Sequence, residues 1–308
     1  MPKLQPAVMT LNFTGDGYID LSQCASLVNR RFYRQGLQWA VNGFTVELDN
    51  QVTSGNIRIE TLPTTWVSSN AWHKTMALWL KQQNEAIEQY DGESVIAKFR
   101  DFKIYMDVVH AAAGVGSNLL PTFGDGTATF TAGEWEYSQI VVPNIVADAS
   151  GSTVDPIEYY LHMVGASTAP GGISRGMIDG YQFSRSFPQS PDPVSPAQDS
   201  ADNWMRNMFN VGNDSDVIAD NASDKNDDLP YPQVDYPGGD TQAAGLQLHS
   251  AFKATGSNVI ANRFTIPGCI APCGLIKFSN DTGVNARLQI HLVPGSHRGY
   301  MAEPMQDM

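Results

Sequence analysis

Basic residues are in short supply. The chain has 19 Lys and Arg against 32 Asp and Glu, a formal net charge of −13. Such a balance argues against a free-standing nucleic-acid binder, which carries a basic face or tail, and leaves room only for a local basic patch. Cysteine is scarcer still. Cys24, Cys269 and Cys273 are an odd, sparse set, unlike the paired framework of a small secreted domain, so reduced thiols are expected. Cys269 and Cys273 have no second Cys or His pair near them, which removes a zinc motif. No apolar run reaches membrane-spanning length, and MPKLQPAVMT holds no apolar signal core. A soluble, intracellularly made protein is the expectation. Glycine (27) and proline (18) are plentiful, and 42% of the 308 residues are hydrophobic, which suits a loop-rich β protein with a sizeable core.

Catalytic motifs are missing too. There is no P-loop and no H-E-x-x-H. Gly114-Val115-Gly116-Ser117-Asn118-Leu119 fails the dinucleotide fingerprint at its third glycine position. Gly172-Ile173-Ser174-Arg175-Gly176 has the G-x-S-x-G form of a hydrolase nucleophile, but Met-Ile-Asp-Gly-Tyr follows, too short and Gly-broken for the helix that motif needs. The six histidines have no ligand spacing, and His162 reads as a structural residue in a strand. No enzyme is expected. The one metal candidate is a run of carboxylates, Asp214, Asp216, Asp220, Asp224, Asp227 and Asp228, able to hold Ca²⁺ but without EF-hand spacing. Otherwise no cofactor is called for.

Periodicity supplies the architecture. Asn70–Tyr90 is the one long helical stretch. Trp72, Met76, Trp79, Leu80, Gln83, Ile87 and Tyr90 form its stripe, and Ser68, Ser69 or Asn70 caps it. Strands are expected at Leu37–Leu48, Asn56–Leu62, Val95–Val109 (with a bulge near Phe99), Glu134–Val142, Ile157–Val164, Leu246–Lys253, Val259–Ile266, Gly274–Ser279 and Ala286–Val293. Short strands flank Gly15-Asp16-Gly17, and Asn280-Asp281-Thr282-Gly283 is a hairpin turn. Residues 166–245 read as one long insertion. Its 190–240 portion holds eleven aspartates against Arg206 and Lys225.

Antiparallel strands, one helical connection and one long loop suit an all-β, eight-stranded jelly-roll sandwich. Its expected organisation is an N-terminal arm (1–36), then a single domain (37–308) that contains the acidic insertion. Asn29-Arg30-Arg31-Phe32-Tyr33-Arg34-Gln35 interleaves cations with aromatics, a composition that can hold phosphates and stack bases.

Several segments also carry a resemblance: NRRFYRQGLQWAVNGFTV, LPTTWVSSNAWHKTM, FRDFKIYMD, VPNIVADASGS with EYYLHMVG, FPQSPDPVSP, NDDLPYPQVDYPGG and HLVPGSHRGYMAEPMQDM. Together they resemble capsid proteins of small circular, Rep-encoding single-stranded DNA viruses, from about Leu11 to Met308. The resemblance implies a jelly-roll subunit of a virion, many copies of which form an icosahedral shell around a single-stranded DNA genome, with no membrane partner. The chain departs from many such proteins in having only Lys3 before Arg30, not an Arg/Lys-rich arm. Arg30, Arg31 and Arg34, helped by Lys98, Arg100 and Lys103, are therefore the expected DNA contacts. Two other readings stay open: a receptor- or glycan-binding β-sandwich spike, and a double jelly-roll phage capsid protein.

Overall fold

The structure, a computed structural model, describes residues 8–48, 54–89, 100–123, 126, 128–142, 156–168, 172–185, 245–255 and 263–308. In chain order its elements are β1 (Thr10–Thr14), β2 (Gly17–Asp20), α1 (Leu21–Asn29), β3 (Leu37–Leu48), β4 (Ser54–Thr61), α2 (Trp66–Gln89), β5 (Tyr105–Asp107), α3 (Val108–Ala113), β6 (Gln139–Val142), β7 (Ile157–Val164), β8 (Ser174–Gly176), α4 (Met177–Arg185), β9 (Gln247–Thr255), β10 (Arg263–Ala271), β11 (Leu275–Asn280), β12 (Ala286–Leu292), β13 (Pro294–Gly295), β14 (Gly299–Tyr300) and β15 (Ala302–Pro304). They fall into two compact units. One comprises Met1–Thr64, Ala113–Glu136 and Leu246–Met308, the other Thr65–Ala112 and Tyr137–Gly245.

The first unit has two antiparallel sheets, ordered β1-β12-β3-β10 and β2-β11-β4-β9, with β15 added to β3. Period-two alternation decides which side chains turn inward. On β12, Ala286, Leu288, Ile290 and Leu292 are buried, and Arg287 is exposed between them. Phe44, Val46 and Leu48 do the same on β3, and Ile57 and Ile59 on β4. With Leu11, Phe13, Ile19, Trp39, Ile276 and Phe278 they make one core cluster shared by both sheets. The two short strands around Gly15 are present, as β1 and β2. Leu11 and Phe13 are each 1% exposed, because β1 pairs with β12 and covers the core. The turn at Asn280–Gly283 is also present: Asn280 Oδ1 accepts from the Thr282 amide at 3.1 Å, and Gly283 has φ +74°. It is not a hairpin, however. Its flanking strands β11 and β12 belong to different sheets, so the turn carries the chain across the core.

The second unit has a sheet of its own. Its sheet centres on β7, which pairs parallel with β5 and β8 and antiparallel with β6. Val95–Val109 does not form one long strand in its described part. Only Tyr105–Asp107 pairs, and Asp107 Oδ1 then accepts the His110 amide at 2.7 Å and starts α3. The bulge expected at Phe99 lies outside the described residues. Helix α2 begins earlier than expected. Thr65 caps it, its Oγ1 lying 3.4 Å from the Ser68 amide, and Ser68 and Ser69 are buried within it. Its buried face runs through Ser68, Ala71, Trp72, Thr75 and Leu78; of the expected stripe Trp72 is buried, Met76, Trp79, Leu80 and Ile87 are half-buried, Gln83 is exposed, and Tyr90 lies outside the described residues. Helix α4 packs against α2 through other positions: Trp66 meets Tyr181 edge-on, and Lys74 Nζ donates to Ser184 Oγ at 2.7 Å. The expectation of a single helix is corrected by α1, α3 and α4. Among the described residues no helix is long and apolar enough to cross a membrane.

Candidate nucleic-acid interface

The interface starts from how α1 is held. Asp20 lies at its N-terminus, where Oδ1 accepts the amides of Ser22 and Gln23 at 2.9 and 3.2 Å. This is the N-cap geometry that short polar side chains supply. Asp20 Oδ2 accepts from Gln35 Nε2 at 3.0 Å, which ties the far end of the following loop back to the start of the helix. At the C-terminus Arg30 takes the left-handed conformation (φ 55°, ψ 39°), and its N–H donates to the Ser26 carbonyl. Glycine is the usual residue there, since a Cβ makes this conformation cost about 1–2 kcal/mol.

Beneath the loop lies an aromatic cluster. Tyr33 is fully buried, with ring centroids 5.8 Å from Trp39, 5.5 Å from Tyr300 and 5.9 Å from His297. The Tyr33 hydroxyl donates to the Arg298 carbonyl at 3.1 Å, and Arg298 Nη1 donates to the Phe32 carbonyl. Asn29 Nδ2 donates to the Tyr300 hydroxyl at 2.7 Å, which in turn donates to the Val8 carbonyl at 2.7 Å. Burial pushes that phenol up to about 12, against the opposing pull of the Asn29 bond and of the nearby Arg31 charge. Burial and the adjacent Arg298 cation together lower His297.

These contacts bring Arg298 against the segment that carries Arg30, Arg31 and Arg34, beside Phe32 and Tyr33. Arg30, Arg34 and Arg298 are exposed and Arg31 is half-buried. Among the described residues no carboxylate pairs with Arg30, Arg34 or Arg298. Arg298 was missed in the sequence, being more than 260 positions from Phe32. Its signal is the backbone: Arg30, Cys273 and Arg298 are the only non-glycine residues with positive φ among the described residues, and two of the three are arginines of this patch. A non-glycine residue adopts this conformation at a cost, and the surrounding contacts must hold it there. Chemically the patch offers guanidinium donors that match phosphate oxygens, on a rigid aromatic base.

The other expected contacts do not join this group within the first unit. Arg100 and Lys103 belong to the second unit, and Lys98 lies outside the described residues. Arg100 Nη1 donates to Asn84 Oδ1, and Lys103 sits 3.7 Å from Asp101, so both already have acceptors. Asp214, Asp216, Asp220, Asp224, Asp227 and Asp228, the Ca²⁺ candidates, also lie outside the described residues. Among those described, no three His, Cys, Asp or Glu side chains come together as a metal group. The three cysteines are free thiols, and burial raises each of them.

The G-x-S-x-G segment needs one correction. A helix does follow it: α4 starts at Met177, directly after β8. A hydrolase nucleophile still does not result, because Ser174 lies within the strand, fully buried, and not on an exposed turn after it. His162 Nδ1 is 2.8 Å from Ser174 Oγ, and Nε2 is 2.8 Å from the Ala166 carbonyl. A carbonyl can only accept, so Nε2 carries the hydrogen and Nδ1 accepts from the serine. Burial lowers His162 to about 4, so this imidazole is neutral at pH 7 and fully satisfied.

No family model matches this chain, and no curated protein or solved structure does either.

Proposed function

We propose that this chain is a jelly-roll capsid subunit of a small circular single-stranded DNA virus, and that Arg30, Arg31, Arg34 and Arg298 are its genome contacts. The observation that carries the reading is the pairing of the eight sandwich strands. In chain order, the first pairs with the eighth (β1–β12), the second with the seventh (β2–β11), the third with the sixth (β3–β10) and the fourth with the fifth (β4–β9). That nested ladder is one long hairpin rolled into two facing sheets, the connectivity of jelly rolls in viral capsids and in lectins. The second unit is then a large insertion between the fourth and fifth strands. Its parallel pairing lends no support to a second jelly roll in the same chain.

Charge favours the capsid reading over the glycan-binding spike. A chain at −13 repels DNA except where cations are collected, and four arginines collected at one surface of the first unit give it one side that attracts phosphate. The proposed partners are further copies of the chain and single-stranded DNA, with no enzymatic activity and no cofactor. Electron microscopy of the purified protein, with the ratio of absorbance at 260 and 280 nm from the same fraction, tests this. Uniform closed shells support it, and a ratio that falls when all four arginines become alanine supports the genome contacts. Discrete small oligomers instead of shells would transfer the fold to the spike reading.

A further inference from the structure

Arg175 is a cation with little water around it. It stands on β8 with 7% of its surface exposed. Nη1 donates to Thr168 Oγ1, and Nη2 donates to the Tyr159 hydroxyl at 3.1 Å. The guanidinium carbon lies 4.5 Å from the centre of the Tyr159 ring. Nε is buried and meets no acceptor. Among the described residues no carboxylate pairs with Arg175.

Strand alternation explains why the nearby acids are not partners. Arg175 is opposite Leu161 on β7 and shares a face with Tyr159, whereas Gly176 is opposite His162. Asp107 is opposite Val164, two residues beyond His162, so it stands on the other face of the sheet. Asp179 Oδ2 is on the Gly176 and His162 side as well. A guanidinium stays charged at every accessible pH, so it cannot escape burial by losing its proton. Two neutral hydroxyls and a ring face offset only part of the desolvation, and a buried charge without a counter-charge is among the costliest arrangements in a protein.

We propose that Arg175 anchors an oxyanion site in the second unit. A compact oxyanion, a carboxylate or phosphate group, approaches past Thr168 and takes the Nε hydrogen together with a remaining Nη hydrogen. The bidentate side of a guanidinium fits such a group. Thr168 is half-buried and Ile173, two residues before Arg175, is 41% exposed, so the site lies just under the surface. Neither the jelly-roll reading nor the arginine patch enters into this site.

Two sources of the anion can be told apart by experiment, a free ion and a carboxylate of a second copy of the chain. Thermal unfolding of the full chain at constant ionic strength, with phosphate and acetate titrated separately against chloride and repeated across protein concentrations, separates them. A free ion raises Tm by several degrees with a saturating midpoint. A carboxylate from a second copy makes Tm rise with protein concentration in chloride alone. Either rise must vanish in Arg175→Gln, which distinguishes it from the general stabilisation that phosphate gives to folded proteins. Arg175→Lys keeps the charge and loses the fork, and weakens the midpoint at least about tenfold. The proposal is overturned if wild-type Tm responds to neither variable, or if the response is the same in Arg175→Lys, a comparison that holds even where the glutamine variant does not fold.

Discussion

Replacing Arg30 by glycine moves stability and nucleic-acid binding in opposite directions. Arg30 closes α1 in the left-handed conformation with φ 55° and is exposed. Glycine takes that conformation without a Cβ, which removes about 1–2 kcal/mol of strain, and the greater freedom of glycine in the unfolded chain takes back about half. The expected net gain is about 0.5–1 kcal/mol, a rise of roughly 1–4 °C in Tm, read by thermal or urea unfolding of the unassembled chain. The same substitution deletes one phosphate contact. The logarithmic salt slope for a single-stranded oligonucleotide should fall by about 0.7, from about 3 for four arginines. Arg30→Ala is the control: it loses the same charge and keeps the strain, so binding falls equally and stability does not rise. Glycine at or below wild-type stability would refute the strain argument. An unchanged salt slope in both variants would remove Arg30 from the interface.

Three further outcomes follow from named contacts. Burial lowers His162 to about 4 from its ordinary 6.5, so the unfolded chain takes up this proton first; stability is full above about pH 6.5 and falls by about 3 kcal/mol as pH drops through 4. Urea unfolding at pH 7 and pH 4.5, compared with His162→Asn, checks this, and equal pH dependence in the two proteins would contradict it. Asp20→Ala removes the α1 cap and the Gln35 Nε2–Asp20 Oδ2 bond, a loss of about 1.5–3 kcal/mol by urea denaturation. A loss below about 1 kcal/mol would mean that the loop bearing the arginines is held some other way. Leu288→Ala, in the middle of β12 and fully buried, should cost about 2–5 kcal/mol by the same assay.

Several strands of the first unit were legible from their alternation. Leu37–Leu48 and Ala286–Leu292 alternate along one sheet, and their bounds could be read almost to the residue. Helix α2 was legible as a helix but not in its orientation. Met76 and Leu80 are the more hydrophobic choice in isolation, but both are half-buried, whereas Ala71 and Thr75 are buried by neighbours that the helix's own periodicity does not reveal. The second unit hid its pairing because β5 and β8 are three residues each, too short to show a period. Arg30, Arg31 and Arg34 could be named because they are adjacent in sequence, while Arg298 joins them through the Phe32 carbonyl and the Tyr33 hydroxyl.

Alternation, turn residues and charge are local properties, so a β-rich chain, most strands of the first unit and the Arg30–Arg34 basic cluster in an acidic protein could be read without coordinates. Which strand pairs with which is not local. β1 and β12 lie at opposite ends of the chain, and they meet because each buries one apolar face that the other completes. Tertiary structure alone decided the nested pairing of eight strands, the separate second unit, the fourth arginine of the patch and the burial of Arg175, since each depends on contacts between residues far apart in sequence.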